Sequence, residues 1–301
     1  MSNERIDNKI GNTLLQIHND IYTKINQNTI DVFLCGGGSN SKHMSTRDKI
    51  RKKMTEFKDI RILYPEDLFI EMLNRNSDYD LLSLERFLAN NCDIICIVCE
   101  SEGALVELGA FTNNEETVHK VVAVLDNKRR KSKSFIMLGP IKILKKINKN
   151  QVIFYTENNL DELDAQLQRT FRMKGFTESR RKKTSSNKAL NTITGLYYFI
   201  PIMLYFFNKL SVDNIIKSLR FLFREKKYRL DEFDTLFKSS LKLLHKDRYI
   251  SKDILKGELV YFLTEKGYKQ VNDLLNSTDI YHKTILYDRI RFDIIRKQYY
   301  S

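Results

Sequence analysis

At 301 residues, with 42% apolar and 30% charged side chains but only 3 Pro and 11 Gly, the chain can build two cored domains and does not have a disordered composition. A net charge of +13 points to nucleic acid or another polyanion as partner, through long-range attraction to phosphates. Lysine-heavy usage from an AT-rich genome is the bland alternative, and the charge is too unevenly spread for that alone. The polar start, Met1 to Ile10, carries no secretory signal, and the 4 cysteines fit a reducing compartment, so a cytoplasmic location is expected.

The leading helix is predicted over Glu4–Gln27, with Ile10, Leu14, Ile17, Ile21 and Ile25 at helical spacing. A strand over Ile30–Cys35 runs into Gly36-Gly37-Gly38-Ser39-Asn40, and a basic helix follows to about Phe57. Ile60–Tyr64 reads as a strand stopped by Pro65, Leu81–Asn90 as a helix, and Asp93–Val98 as a buried strand. A helix over Gly103–Asn113, strands at Val121–Leu125 and Val152–Tyr155, and a helix over Leu160–Met173 continue the alternation. Such alternation predicts an α/β domain with a parallel, Rossmann-like sheet and right-handed crossovers. The basic run Arg169–Lys188 reads as an interdomain linker, either a solvated tether or a polyanion-binding strip.

Ile193–Phe207 is strongly apolar, yet shorter than the roughly 20 residues a spanning helix needs, and Pro201 interrupts it. A buried connecting helix is expected, with no membrane association. Beyond it come an amphipathic helix at Val212–Arg224, one or two helices in Leu230–Lys246, and two strands around Lys256-Gly257-Glu258. A helix capped by Thr264 and a last helix over Ile280–Arg296 follow. This is the order of a mainly α winged helix-turn-helix domain. The expected boundaries are 1–175 for the α/β domain, 176–210 for linker and connecting helix, and 211–301 for the winged helix.

Glu107 is the first candidate for chemistry. It sits just past the C-terminal edge of a parallel sheet, on the helix that opens after the strand and its turn, where open α/β folds bind ligands. A carboxylate there can attack an anomeric carbon or stabilise an oxocarbenium-like sugar. Gly36, Gly37, Gly38 and Ser39 let backbone N–H groups approach a phosphate or sugar, although the loop is neither GxGxxG nor a Walker A. A tight structural turn explains it equally well. Asp93 is a second acid that also suits capping of backbone N–H groups at a strand start. Cys92, Cys96 and Cys99 have the spacing of radical-SAM iron–sulfur ligands. In a strand, however, Cys92 and Cys96 lie roughly 13 Å apart and Cys99 points to the other face, so no metal is expected. In the winged helix, the recognition helix is placed at about Lys238–Arg248, exposing Lys238, Lys242, His245, Lys246 and Arg248 to phosphates. A winged helix used only for protein contact is the alternative.

Glu85, Asp93 and the run Gly103-x3-Glu107-Leu108-Gly109-Ala110 together resemble the nucleoside 2-deoxyribosyltransferase signature. The resemblance implies that Glu107 is the nucleophile, with Glu85 near the base. An aspartate six residues before the nucleophile contacts the sugar in that family; here the position is Ser101, which shifts the expectation from transfer to hydrolysis. A wider set recurs together: Phe33-Leu34-Cys35-Gly36-Gly37, Tyr64-Pro65-Glu66-Asp67-Leu68-Phe69, Leu81-Leu82-Ser83-Leu84-Glu85, Glu107–Phe111, Asn113-Asn114-Glu115, and Ser132–Ile136 with Gly139-Pro140. With the trailing winged helix, these resemble the deoxyribosyltransferase-like effectors of bacterial retrons.

That resemblance implies an anti-phage toxin that breaks the N-glycosidic bond of NAD+, with NAD+ as substrate and no cofactor. It also implies control by the retron reverse transcriptase and msDNA with its RNA, and leaves a higher-order oligomer open. Glu107 and Asp93 are then the catalytic candidates, and Gly36, Gly37, Gly38, Ser39, Glu85, Ser101 and Gly103 the substrate-binding ones. Lys238, Lys242, Lys246 and Arg248 are the nucleic-acid candidates. The competing reading is a non-catalytic regulator in which a nucleotide-sensing domain controls a DNA-binding one.

Overall fold

The structure, a computed structural model, describes residues 8–25, 29–57, 59–64, 91–181, 188–278 and 280–300. The helix predicted over Leu81–Asn90, Glu85 with it, and the motif after Tyr64 lie outside them. The chain divides into two compact units, 29–187 and 1–28 together with 188–301.

The first unit is built on strands β1 (Ile30–Cys35), β2 (Ile60–Leu63), β3 (Ile94–Val98), β4 (Val121–Asp126) and β5 (Val152–Tyr155), all parallel in the order β2-β1-β3-β4-β5. The strands are near-continuous apolar runs because helices cover both faces. In chain order after the leading helix α1 (Asn8–Gln16) come α2 (Thr46–Met54), α3 (Glu102–Thr112), α4 (Phe135–Leu138), α5 (Pro140–Ile147) and α6 (Leu160–Arg181). Ile50 and Met54 of α2 join Leu163, Leu167 and Phe171 of α6 on one face, over Val32, Leu34, Cys96, Val98 and Val124. Right-handed crossovers put α3, which packs with α5, on the other. The order reverses between β1 and β3, and the carboxyl ends of those two strands form the topological switch point.

Two departures from the sequence expectation concern this unit. Helix α6 runs to Arg181, so the first part of the basic run expected as linker is helix. The short helices α4 and α5 have no counterpart among the predicted elements, although Pro140 at a first helical position, with Ile141 and Leu144 buried behind it, marks the second.

The second unit contains the leading segment. Helix α1 (Asn8–Gln16) continues through a π-helical stretch, Ile17–Tyr22, and Thr23–Ile25. Its place in the chain suggests the α/β domain, and the expected boundary of 1–175 includes it. It packs instead with the C-terminal elements, because its apolar stripe of Leu14, Ile17, Ile21 and Ile25 is wholly buried there. The Tyr22 hydroxyl donates to the Lys188 carbonyl and, at 3.0 Å, to that of Gly195, while its ring meets Phe199 edge-on.

The remaining elements are α7 (Ile193–Phe207), β6 (Lys209–Ser211), α8 (Val212–Glu225), α9 (Phe233–Lys246), β7 (Ile250–Leu255), β8 (Glu258–Leu263), α10 (Glu265–Ser277) and α11 (Lys283–Tyr300). Antiparallel pairing joins the three strands in the order β6-β8-β7. Helix α7 is the expected buried helix, and no helix among the described residues is long and apolar enough to cross a membrane. Lys256 (φ 52°) and Gly257 (φ 80°) close the β7–β8 hairpin through two left-handed residues, the geometry that matches strand twist. Thr264 caps α10 as predicted, accepting from the Gly267 N–H at 3.0 Å. The short strand β6 is absent from the predicted elements, since three residues carry too little periodicity to be seen.

Candidate active site

The loop after β1 is shaped by what it must pass. Gly36 adopts φ +153°, which side-chain-bearing residues rarely adopt, and an added Cβ would lie 3.1 Å from Val98 Cβ and 3.2 Å from Arg47 Cβ. At Gly37 it would meet Glu100 Cγ at 3.2 Å. The first two glycines therefore let the exits of β1 and β3 touch at the switch point.

Glu100 holds that junction. Its carboxylate accepts from the Thr46 N–H at 2.9 Å and the Arg47 N–H at 3.1 Å, donors at the start of α2. An internal carboxylate thus occupies the positive end of α2, a position that suits a ligand phosphate in other folds. In the sequence Glu100 is one acid among several, and its role is visible only once β3 and α2 are adjacent. Ser45 caps the same helix, accepting from the Asp48 N–H at 3.1 Å.

Ser39 points into this framework. Its hydroxyl oxygen accepts from the Ser45 N–H at 2.9 Å and its proton goes to the Asp48 carboxylate, so it braces the loop. Partial burial would raise the Asp48 carboxyl, but hydrogen bonds from Ser39 and Tyr64 and the charge of Arg47 outweigh it and hold the group low. Burial, helped by the bond to Asp48, pushes the Tyr64 hydroxyl up to about 12.

Across the switch point, α3 opens on Ser101, whose oxygen accepts from the Ala104 N–H at 3.2 Å. Ser101 is thus first a helix cap. Gly103 faces open space, with nothing within 4 Å of an added Cβ, and it lies one turn before Glu107 on the same helix face. Glu107 is half-buried. It stands in the second turn of α3, which opens four residues after β3 ends at Val98, and so lies beyond the exit of that strand. Burial raises the Cys99 thiol to about 12, with Arg129 opposing and Glu107 adding to the rise. The four cysteines are buried free thiols.

The structure does not bring Asp93 to this site. Asp93 lies at the amino end of β3, is 6% exposed, and accepts from the Asp31 N–H at 2.8 Å. The length of β3, roughly 16 Å, separates it from the exit where Glu107 lies. Asp31 and Lys120 are buried nearby, Lys120 donating to the Cys92 carbonyl at 2.8 Å, and Arg61 approaches Asp31 at 4.0 Å. Its geometry is that of a strand-end cap, the alternative that its place at a strand start offers.

On α9, Lys238, Lys242 and Lys246 are exposed and spaced four apart, a single basic stripe. Arg248 departs from the expectation: α9 ends at Lys246, and Arg248 sits beyond it at φ 58°, with its N–H bonded to the His245 carbonyl and that of Tyr249 to Leu244. His245 is packed against the Tyr261 ring at 5.5 Å rather than fully exposed. The β7–β8 hairpin carries Asp253 and Glu258 as well as Lys252 and Lys256 and exposes Ile254, 70% accessible, so excess positive charge belongs to the helix and not to the hairpin.

A Rossmann-like α/β domain bearing a half-buried glutamate at its switch point, joined to a largely helical unit, defines the class. Residues 43–252 match the family model described as STM3845 retron effector protein. The chain is 30% identical over 277 residues to "Retron Ec86 putative ribosyltransferase/DNA-binding protein" of Escherichia coli, covering 88% of this chain and 84% of that one. It is 32% identical over 117 residues to "Retron Ec73 putative ribosyltransferase/DNA-binding protein" of the same organism, covering 38% and 37%. The chain belongs to this retron effector family.

Proposed function

We propose that the α/β domain breaks the N-glycosidic bond of a nucleotide, with NAD+ the substrate and Glu107 the group acting on the sugar C1. The observation that carries this is the placing of Glu107: half-buried beyond the β3 exit, one turn from the open space over Gly103. Nicotinamide is a pyridinium cation in NAD+ and leaves as a neutral pyridine, so departure needs little acid assistance. Water supplies the hydroxyl at C1, and the products are nicotinamide, ADP-ribose and a proton. The Glu107 carboxylate either forms a transient ester at C1 or stabilises the oxocarbenium ion until water adds. Ser101 in place of an acid offers a sugar acceptor one charged partner fewer and agrees better with hydrolysis than with transfer. The names of both relatives carry ribosyltransferase chemistry and support this reading.

The second unit has the helix–strand–helix–helix–hairpin order of a winged helix, and its α9 stripe of Lys238, Lys242 and Lys246 provides phosphate contacts for the retron RNA–DNA. The reverse transcriptase and msDNA then hold the toxin in check. The test is release of nicotinamide from NAD+ by purified protein, alone and with its reverse transcriptase and RNA–DNA. Absence of cleavage of NAD+, nucleotides and nucleosides in every preparation defeats the enzymatic reading. Replacing the three lysines with Gln should weaken RNA–DNA binding and flatten its log–log salt dependence by about 3, roughly one for each phosphate no longer neutralised.

A further inference from the structure

The β1–α2 loop has a second side that the chemistry at Glu107 does not use. Beyond the glycines, residues 39–44 turn back on themselves, with Asn40 Oδ1 accepting from the N–H groups of Lys42 at 3.0 Å and His43 at 2.8 Å. This turn forms one wall of an open groove of about 800 Å³. The other walls are Asp48, Arg51, Lys52 and Thr55 of α2 and its exit, and Tyr64 at the end of β2. Nucleotide-sized ligands occupy sites of this size.

The charges of the groove are unbalanced and held in place. Lys42, Arg51 and Lys52 line it against the carboxylate of Asp48, which is already engaged by Ser39 and Tyr64. Two guanidinium groups lie over the Tyr64 ring, Arg47 at 4.3 Å and Arg51 at 4.2 Å from its centre. Arg47 also reaches the Asp48 carboxylate at 3.8 Å, so the single acid of the groove is shared while Lys42, Arg51 and Lys52 keep it positive, and the ring fixes where Arg51 sits. A ligand that brings negative charge offsets this excess and meets donors that need little further ordering. The helix start cannot serve that purpose, because Glu100 fills it. In sheets with this switch point, a ligand reaching from the β3 exit past the β1 loop arrives at the end of β2. The groove lies along that line, with Gly37 against Glu100 at one side of the loop and Ser39 to Met44 at the other.

We infer that this groove binds the diphosphate half of the substrate, through Arg51, Lys52 and Lys42, so that the enzyme selects dinucleotides over free nucleosides. The inference rests on the reading of Glu107 as the group at C1, since it supplies the distal end of the same substrate. Its test is independent of catalysis. ADP and adenosine are titrated calorimetrically into the full chain, its R51Q/K52Q form and its E107Q form. ADP should bind the parent at least about 30-fold more tightly than adenosine, and R51Q/K52Q should lose at least that factor for ADP while its adenosine affinity stays level. ADP binding should weaken with added salt and persist in E107Q. Equal ADP affinity in parent and R51Q/K52Q, or no preference of the parent for ADP, overturns the groove assignment. A chain that binds ADP through these cations yet cleaves no glycosidic bond supports the groove and sinks the Glu107 reading instead. Thermal melts establish that R51Q/K52Q is folded, with only a small drop expected from losing the Arg51–Tyr64 contact.

Discussion

The two edges of the parallel sheet carry similar residues and use them differently. At the amino edge, Asp31, Asp93 and Lys120 are sealed in, each almost inaccessible to solvent, and they are held by backbone groups and by Arg61. At the carboxyl edge, Glu100, Ser101 and Glu107 are at least partly accessible, beside loops that glycines keep open. Burying a charge is costly unless it is paired, so a sealed charge answers to stability. A charge that must meet a substrate has to keep solvent access, and Glu107 does. The contrast separates two acids, Asp93 and Glu107, that belong to one stretch of sequence.

Substitutions at the two edges should therefore fail in opposite ways. The largest effect expected is kinetic: E107Q should lower nicotinamide release on the order of 10⁴-fold, with a melting temperature close to that of the parent. Calorimetry beside the assay checks both halves, and a large drop in stability would merge the two edges again. D93A should do the reverse. Stranding the Asp31 N–H and the nearby buried cation should cost about 3 kcal/mol by denaturant titration, while turnover per folded molecule stays within about twofold.

Between these stands G36A, which forces a side chain into a left-handed backbone and against Val98 and Arg47. A loss of about 2 kcal/mol together with reduced turnover is expected, because this residue joins the two strand exits. Unchanged stability and turnover would show that the exits need not touch.

The smallest effect lies away from both edges. Burial raises the Asp164 carboxyl on α6 to about 6, with Lys53 opposing and Asp161 and Glu56 adding. The raised group binds its proton more tightly in the folded state, so its contribution is present below about pH 4 and is lost as pH rises through about 6. D164N should remove that loss and raise the melting temperature slightly at pH 7, an effect discounted because the group keeps part of its solvent contact. Melts of both forms at pH 4 and pH 7 give the comparison, and a gap that is no wider at pH 7 would count against it.

Much of the fold is legible in the sequence for physical reasons. Strand β1 ends where predicted because its apolar run ends at Gly36, and Thr264 caps α10 because threonine before Glu-Lys-Gly has a donor to meet. Glu107 stands out because the residue type, the preceding strand and the Gly103 spacing agree. What stays hidden depends on contacts distant in sequence. An amphipathic stripe says that α1 must bury a face, not which unit it will bury it against. The carboxylate of Glu100 is indistinguishable from that of Glu102 until α2 is laid beside β3. Helix α6 outruns its prediction because a run of charge resembles a linker, although Arg and Lys are good helix formers.

The central claim, that the carboxyl-edge acid performs the chemistry and the amino-edge acid does not, comes down to one assay. Nicotinamide released from NAD+ is measured for equal amounts of folded parent, E107Q and D93N, each purified free of other retron components. Background release from E107Q and near-parental release from D93N are the predicted results. Parental release from E107Q would contradict the claim.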